Sequence, residues 1–378
     1  MKKFIIFVAA FAMVGAFVAT AMADVSLYGS ARFRTYYADN DPGGNESSSG
    51  DLEWRIGHLT RFGASFKSDK VTGKFEMDAR AGGAGATADN DNDSNASRLG
   101  NMRLRQLWGQ YDFGSWKFMI GQNYPLYDAP VSGINYYSGG FQKFGGIGYD
   151  VARTSQMRFT MGNLRIALLP ADTHVSGVAD SPTTSDFTDD NDVTLPKIEI
   201  RYDWKGDWGV LNFIGGYQTY DAVRDVDDKD VTISSWVLGA RGKFNFGPAY
   251  LGLSATYRQN GENYGAWTDV YEEAVYDGND VQDTTAMGAV AALGWKINDS
   301  NTLEGSIGYV KSEIDLPGTY EDKRVAYGLM WKYTVAPGFY IVPELIYQDN
   351  TETKIEGDLD EDNGDVTIFG VFWRIDFK

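Results

Sequence analysis

The chain has no cysteine and only two histidines among its 378 residues. Without cysteine, neither disulfide bonds nor thiol chemistry can contribute to stability or function. After residue 23, no apolar run approaches the roughly eighteen residues that a membrane-spanning helix needs. These absences predict a protein that has neither a disulfide scaffold nor a helical membrane span after residue 23.

Positive charge is also scarce. The chain carries 34 Lys and Arg against 52 Asp and Glu, for a formal net charge of −18. Nucleic-acid binding requires clustered basic side chains, so this balance predicts no nucleic-acid partner. Aromatic residues (14%) and glycine (44 residues) are abundant, whereas proline (10 residues) is sparse. That composition favours many strands over disorder, because disordered chains are poor in aromatic residues.

Motifs for catalysis and for metal binding are missing as well. His58 and His174 stand beside no Ser or Asp nucleophile motif, and no G-x-S-x-G sequence occurs. The acidic stretch DLDEDNGD (358–365) resembles a calcium loop, but Gly364 comes one place late and no Glu occupies the twelfth position. We therefore expect no enzymatic activity, no cofactor and no tightly bound metal, with a hydrolase as the distant alternative.

The first 23 residues have the pattern of a signal peptide. Lys2 and Lys3 form a basic start, residues 4–20 are apolar, and Ala21-Met22-Ala23 is a small-residue cleavage site before Asp24. Export would leave 32 basic side chains against 52 acidic ones, a net charge of −20. We expect two parts, a signal peptide at 1–23 and a barrel at 24–378; an uncleaved N-terminal anchor is the alternative.

The C-terminal segment DVTIFGVFWRIDFK predicts a strand with one apolar face. Phe369, Val371, Trp373, Ile375 and Phe377 alternate with Gly370, Phe372, Arg374 and Asp376. A period of two places the first set on one side of a β-strand. An aromatic residue that ends a strand in this way needs an apolar environment outside the sheet.

Fifteen further segments share this alternation, and their connections alternate in length. Short turns such as Gly114-Ser115 and Gly247-Pro248 lie between long polar loops. The long loops are 38–51, 83–98, 122–150, 171–192, 220–230, 260–283, 314–322 and 350–364. Short turns at one end and long loops at the other are typical of outer-membrane barrels. The sequence predicts an all-β, sixteen-stranded antiparallel transmembrane barrel in the outer membrane; a soluble β-sandwich is the alternative.

The loop 122–150 differs from the others, because it is poor in charge and rich in Tyr, Phe and Gly. A solvated loop would look like the Asp-rich stretches at 89–93 or 358–365. Sixteen strands enclose a lumen wide enough for an aqueous channel. We predict that this third long loop folds inward and narrows the lumen; a role in subunit contacts is the alternative.

Three segments carry a resemblance to a known family. LRQLWGQYDFGSWKFMIGQNY (104–124), DVSLYGSARF (24–33) and RTSQMRFTMGNLRIALLP (153–170) resemble strands of the general Gram-negative porins of the neisserial and Burkholderia type. The resemblance implies a homotrimeric, water-filled channel for small hydrophilic solutes and ions. It also implies outer-membrane lipid, lipopolysaccharide and the barrel assembly machinery as partners. Gly121-Gln122 lacks the family's Arg, and Lys378 follows the usual terminal Phe.

Family members have a constriction between the inward loop and an arginine-lined wall, and the sequence supplies candidates for both sides. The candidates on the wall lie on the parity opposite the apolar face, where a charge avoids the cost of contact with lipid. They are Arg32, Arg34, Arg55, Arg61, Arg80, Arg103 and Arg105. Asp128 and Lys143 are the loop charges expected opposite. In the alternative interpretation, several of these arginines pair with Glu53, Glu76 and Asp78.

The sequence thus predicts passive diffusion through a general porin, with a channel specific for a sugar or an anion as the alternative. The acidic side chains of the loops outnumber the basic side chains of the wall, so weak cation selectivity is expected. Whether these loops bridge divalent cations or only keep the surface solvated stays open.

Overall fold

The computed structural model describes residues 24–41, 49–57, 59–80, 101–136, 138–148, 153–173, 187–224, 230–266, 268–276, 280–315, 320–350 and 364–378. The predicted signal peptide with Ala23, both histidines and large parts of the long acidic loops lie outside the described residues. Asp24, the residue after the predicted cleavage position, begins the first strand.

The described chain is almost entirely β-structure. Its strands are β1 (Asp24–Asp41), β2 (Ser49–Ile56), β3 (Arg61–Lys67), β4 (Val71–Arg80), β5 (Asn101–Asp112), β6 (Lys117–Asn123), β7 (Ser138–Phe141), β8 (Thr154–Met161), β9 (Leu164–Leu169), β10 (Phe187–Asp192), β11 (Lys197–Gly206), β12 (Gly209–Arg224), β13 (Asp230–Phe246), β14 (Ala249–Gln259), β15 (Val275–Tyr276), β16 (Val281–Gln282), β17 (Thr284–Asn298), β18 (Asn301–Ile314), β19 (Tyr320–Ala336), β20 (Phe339–Asp349) and β21 (Asp365–Phe377). A 3-10 turn (Gln142–Phe144) and one helical turn (Gly261–Tyr264) interrupt the long connections. Within the described ranges, no helix is long and apolar enough to cross a membrane.

The segments of the large sheet form sixteen barrel strands, because two of the barrel strands each consist of two segments. β2 and β3 both pair with β1, and β10 and β11 both pair with β12. β7, β15 and β16 lie in the long connections and outside the large sheet. All neighbouring strands are antiparallel and follow chain order. The prediction of a sixteen-stranded antiparallel barrel is confirmed.

The last strand closes the barrel against the first. β21 pairs with β1 from Gly29↔Phe377 to Asp41↔Asp365. The ring of Phe377 lies over Gly29, where an added Cβ would be 2.2 Å from the ring carbons. A larger residue at Gly29 would therefore displace the terminal aromatic side chain. Each barrel strand within the described ranges is paired on both sides, so this part of the sheet leaves no row of unpaired main-chain groups to face lipid.

Exposed apolar residues cover the outer face of the sheet, and the buried charged and polar residues of the strands lie on the inner face. On β18, Leu303 and Ile307 are exposed on the outside, at 47% and 43%, whereas Glu304 and Ser306 are buried on the inside. Aromatic rings gather near the short turns, as in the stacked pair Phe113–Trp116, whose centroids are 4.2 Å apart. An apolar band edged by aromatic rings matches the hydrocarbon layer and its interface.

Candidate functional site: the barrel lumen

The connection between β6 and β8 lies inside the barrel, and its described residues within 124–148 are called the lumen loop here. Phe141 and Phe144 are 1% and 0% exposed. They belong to a buried cluster that includes Val290 of β17 and Ile346 of β20. The aromatic residues of the loop are thus buried against the far wall, which accounts for its low charge.

Three buried carboxylates on the inner wall hold the main-chain N–H groups of the lumen loop. Glu199 of β11 accepts from Leu126 and Tyr127, Glu304 of β18 from Gly133 (2.6 Å), and Glu344 of β20 from Asn135 (2.7 Å) and Tyr136 (2.9 Å). Charge-assisted hydrogen bonds of this kind are roughly twice as strong as neutral ones. They also satisfy main-chain donors that no secondary structure satisfies here.

Arginines hold the carbonyl groups of the same loop. Arg158 of β8 donates to Tyr124, Arg201 of β11 to Leu126 and Asp128 (both 3.3 Å), Arg241 of β13 to Pro130 (2.9 Å), and Arg34 of β1 to Tyr136. The donors follow the barrel in strand order, as do the acceptors along the loop. The loop therefore runs along the inner wall from β8 towards β20, and its far end reaches β1.

Two glycines on the wall permit the close approach of the loop. A Cβ on Gly288 would lie 2.2 Å from the Cα of Gly145, and a Cβ on Gly328 would lie 2.2 Å from Cδ1 of Ile134. No real Cβ tolerates such distances. An alanine at position 288 would therefore push the main chain of the lumen loop off the wall, and one at position 328 would displace the side chain of Ile134. Gly145 itself has a φ of 94°, which favours glycine.

A second connection, between β14 and β17, also folds inward, and its described residues within 260–276 are called the upper loop. Arg258 at the end of β14 forms two hydrogen bonds of 2.7 Å with Glu272, and both side chains are fully buried. Lys143 of the lumen loop pairs with Asp269 of the upper loop. The two loops therefore form one packed layer inside the barrel.

Sequence reasoning missed the inward position of the upper loop. The signal was present, because AWTDVYEEAVY (266–276) mixes apolar and aromatic residues in the same way as the lumen loop. Three carboxyls also gather there. Burial and the neighbouring charges of Glu273 and Glu272 raise the pKa of Glu262 to about 8.

The seven predicted arginines occupy the wall formed by β1–β5, and most of them have acidic partners. Arg34 and Arg55 pair with Glu53, Arg61 pairs with Glu76 (3.6 Å), Arg103 with Asp78 (3.3 Å), and Arg105 with Glu76 (2.6 Å) and Asp78 (3.4 Å). Arg32 donates to Ser30 and lies 5.9 Å from the ring centroid of Phe372. Arg80 ends β4, and its side chain lies outside the described part. The structure thus contains the pairs with Glu53, Glu76 and Asp78 that the alternative interpretation of these arginines predicts.

The two predicted loop charges contact other loop residues. Asp128 accepts a hydrogen bond from Gln142 at 3.2 Å, and burial raises the pKa of Asp128 to about 6. Burial lowers the pKa of Lys143, against the opposing charge of Asp269. The structure therefore brings Asp128 and Lys143 to the interior of the loop layer and the arginines of β1–β5 to the opposite wall.

Further basic residues line the lumen on later strands. They are Arg158, Arg165, Arg201, Arg241, Lys243, Lys332 and Arg374. The alternation that identified the first arginines also marks these positions: Arg201 lies between Ile200 and Tyr202, which are exposed at 47% and 45%. Among the described residues, no group of three or more His, Asp or Glu could hold a metal ion.

Comparison with solved structures gives barrels of the same fold. The outer-membrane channel DcaP of Acinetobacter baumannii is 17% identical, with a TM-score of 0.66, and the match covers 94% of this chain and 97% of that one. OmpT of Vibrio cholerae is 15% identical (TM-score 0.56, 94% and 98% covered). The anion-selective porin of Comamonas acidovorans is 14% identical (TM-score 0.54, 94% and 100% covered).

Sequence comparison assigns the family. No curated protein matches the chain by sequence. A family model described as Gram-negative porin, however, matches residues 9–353, most of the chain. The chain therefore belongs to the Gram-negative porin family.

Proposed function

We propose that this porin is a general diffusion channel whose narrowest passage lies between the lumen loop and the wall of β1–β5. As a family member, the protein is an outer-membrane channel for passive diffusion and not an enzyme. One observation carries the proposal: most hydrogen bonds that hold the lumen loop come from β8–β20, and β1 reaches it at its far end, where Arg34 donates to Tyr136. The remaining space lies along the other wall, where sixteen strands leave room for water.

The arginines of β1–β5 supply the charge of this passage. Arg55, Arg61 and Arg103 are the accessible ones, with side chains exposed at 32%, 25% and 45%. Arg32, Arg34 and Arg105 are buried on the same wall, and Arg80 is the last residue of β4 there. Because most of the wall arginines with described side chains pair with an acidic side chain of the same wall, the field is short-ranged and orients small polar solutes without binding one tightly. Asp128 and Lys143 act indirectly, by fixing the position of the loop.

A channel that prefers anions is the second candidate. Lys243 and Lys332 support it, because neither forms an ion pair with a carboxylate within the described ranges, although both face the lumen. The acidic outer loops support the opposite sign, weak cation selectivity. The reversal potential of a KCl gradient distinguishes the two candidates.

We also propose a homotrimer made by an exported chain. OmpT of Vibrio cholerae has a trimer form, and the outer face of this barrel carries exposed apolar residues such as Leu293 and Leu329, at 61% and 60%. That face would contact subunits, lipid and lipopolysaccharide. Cleavage between Ala23 and Asp24 would release the start of β1, and β21 with Phe377 would be recognised by the barrel assembly machinery.

Planar bilayers test the proposed function. The purified mature protein should give stepwise, long-lived conductances in KCl, and liposomes that contain it should swell in uncharged sugars at rates that fall smoothly with sugar size. Saturable block by one sugar would favour a substrate-specific channel. A protein that inserts but does not conduct would contradict the proposal. Cross-linking and N-terminal sequencing test the trimer and the cleavage position.

A further inference from the structure

A cavity lies between the lumen loop and the short-turn end of the barrel. Its volume is about 320 Å³. Its polar lining includes Lys243, Lys332 and Arg374 from three strands, with Tyr250 and Tyr340 between them and Asn135 of the lumen loop above. The short turns of outer-membrane barrels face the periplasm, so the cavity opens on the periplasmic side of the constriction.

The lysines of this cavity differ from the arginines of β1–β5 in having aromatic neighbours instead of acidic ones. The Nζ of Lys243 lies 4.9 Å from the ring centroid of Tyr250, and the Nζ of Lys332 lies 4.5 Å from that of Tyr340. In the part of the chain that the structure describes, neither ammonium has a carboxylate oxygen within 4.0 Å. Arg374 stacks on Tyr340 at 5.3 Å and pairs with Asp376.

The carboxylates nearby are occupied by other donors. Glu304 accepts from Gly133, Ser132 and the hydroxyl of Tyr250, and Glu344 accepts from Asn135, Tyr136 and the hydroxyl of Tyr36. These bonds hold both carboxylates against the lumen loop. Within the described ranges, the two ammonium groups therefore face the cavity without a carboxylate in direct contact. Asp376, which pairs with Arg374, acts on Lys332 only from beyond ion-pair distance.

We propose that this cavity is a binding site for small dianions, such as sulfate or a short dicarboxylate. Two ammonium groups, on β13 and β19, with a guanidinium beside them, match two negative charges better than one, since each charge of the ligand gains its own attraction. The tyrosine rings exclude water from one side of each ammonium and so reduce screening. The inference rests on the proposed function, because it requires a lumen that solutes enter.

Single-channel recording tests the site. Sulfate or malonate added to the short-turn side should cause concentration-dependent interruption of the KCl current, whereas acetate should not. The double variant Lys243→Gln/Lys332→Gln should raise the blocking concentration of sulfate by at least about tenfold. Lys296→Gln is the matched control, because Lys296 lies near the same end of the barrel, pairs with the exposed Asp299, and does not line the cavity. Sulfate should block the current of Lys296→Gln at the same concentration as that of the wild type.

Calorimetry of the folded protein in detergent gives an independent reading. Sulfate should bind to the wild type and to Lys296→Gln and should bind at least about tenfold more weakly to each single lysine variant. Channels that conduct KCl but show neither block nor binding heat would overturn the dianion site and leave the porin proposal intact. Sulfate binding that is unchanged in both single variants would overturn the site as well. Binding without any conductance would support the site and contradict the proposed function.

Discussion

The two sides of the lumen use the same types of charged residue in different ways. On β1–β5, arginines pair with acidic side chains of neighbouring strands, as in Arg105 with Glu76 and Asp78; this side is called the paired wall. On β8–β20, carboxylates and arginines bond the main chain of the lumen loop, as Glu344 and Arg241 do; this side is called the docking wall. Most charges of the paired wall are thus balanced within the wall, whereas the carboxylates and most arginines of the docking wall hold the lumen loop.

Breaking the buried pair of the docking wall should have the largest effect. Arg258→Leu leaves Glu272 buried without its partner, which costs about 3–5 kcal/mol for pairs of this kind. The upper loop should leave the wall before the barrel unfolds, so conductance should rise and loop 260–276 should become sensitive to protease. The double variant Arg258→Leu/Glu272→Leu should restore protection. Equal sensitivity of single and double variants would contradict the assigned pair.

Loosening the lumen loop should have the next largest effect. Glu344→Gln keeps one acceptor oxygen but places an amide N–H opposite the N–H group of either Asn135 or Tyr136, at a cost of about 1–3 kcal/mol for an unsatisfied buried donor. Current noise should increase and the conductance should fluctuate between levels. Glu313→Gln on the exposed end of β18 removes the same charge without touching the loop and should behave as the wild type. Identical noise in both variants would mean that Glu344 does not hold the loop.

Proton binding to the upper loop should give a moderate effect. The pKa of Glu262 is raised from its ordinary 4.5 to about 8. A raised pKa means that the folded loop prefers the protonated carboxyl, so docking is strongest at low pH and weakens as pH rises through about 8. Conductance should therefore increase with pH near this value, and Glu262→Gln should remove the dependence. A pH profile that the substitution leaves unchanged would contradict the role of Glu262.

Charge removal on the paired wall should have the smallest effect. Arg103→Gln removes a partly exposed positive charge but leaves Asp78 with Arg105, so the permeability ratio of K⁺ to Cl⁻ should rise by no more than about twofold. Lys117→Gln is the matched control, because Lys117 is equally exposed (45%) and pairs with Asp112 near a short turn. Reversal potentials check both. A permeability ratio that shifted in favour of Cl⁻ in Arg103→Gln would contradict the position of Arg103 in the passage.

The strands could be predicted from the sequence because lipid and lumen impose a period of two on every strand. The sixteen strands and the short turns follow from that alternation, and so does the inward side of Arg61 or Arg201. Partners could not be predicted in the same way. Which acid each arginine meets depends on strand register, as in Arg61↔Asp78, where Arg61 pairs with Glu76 instead of its direct neighbour.

The contacts of the loops could not be predicted from the sequence either. A low charge and many aromatic residues predict the inward position of loop 122–150. AWTDVYEEAVY has the aromatic residues but also carries Asp269, Glu272 and Glu273, so its composition alone does not predict an inward position. Bonds such as Glu344 to Asn135 join residues 209 positions apart. No local pattern encodes such a contact.

A cysteine placed in the proposed passage gives the most direct test, and the chain has no cysteine of its own to interfere. Arg103→Cys should react with a bulky, water-soluble methanethiosulfonate reagent during recording, and the single-channel conductance should fall in one step. Trp204→Cys on the outer face, exposed at 56%, should leave the conductance unchanged. If modification at position 103 left the conductance unchanged, the passage would not run along the wall of β1–β5.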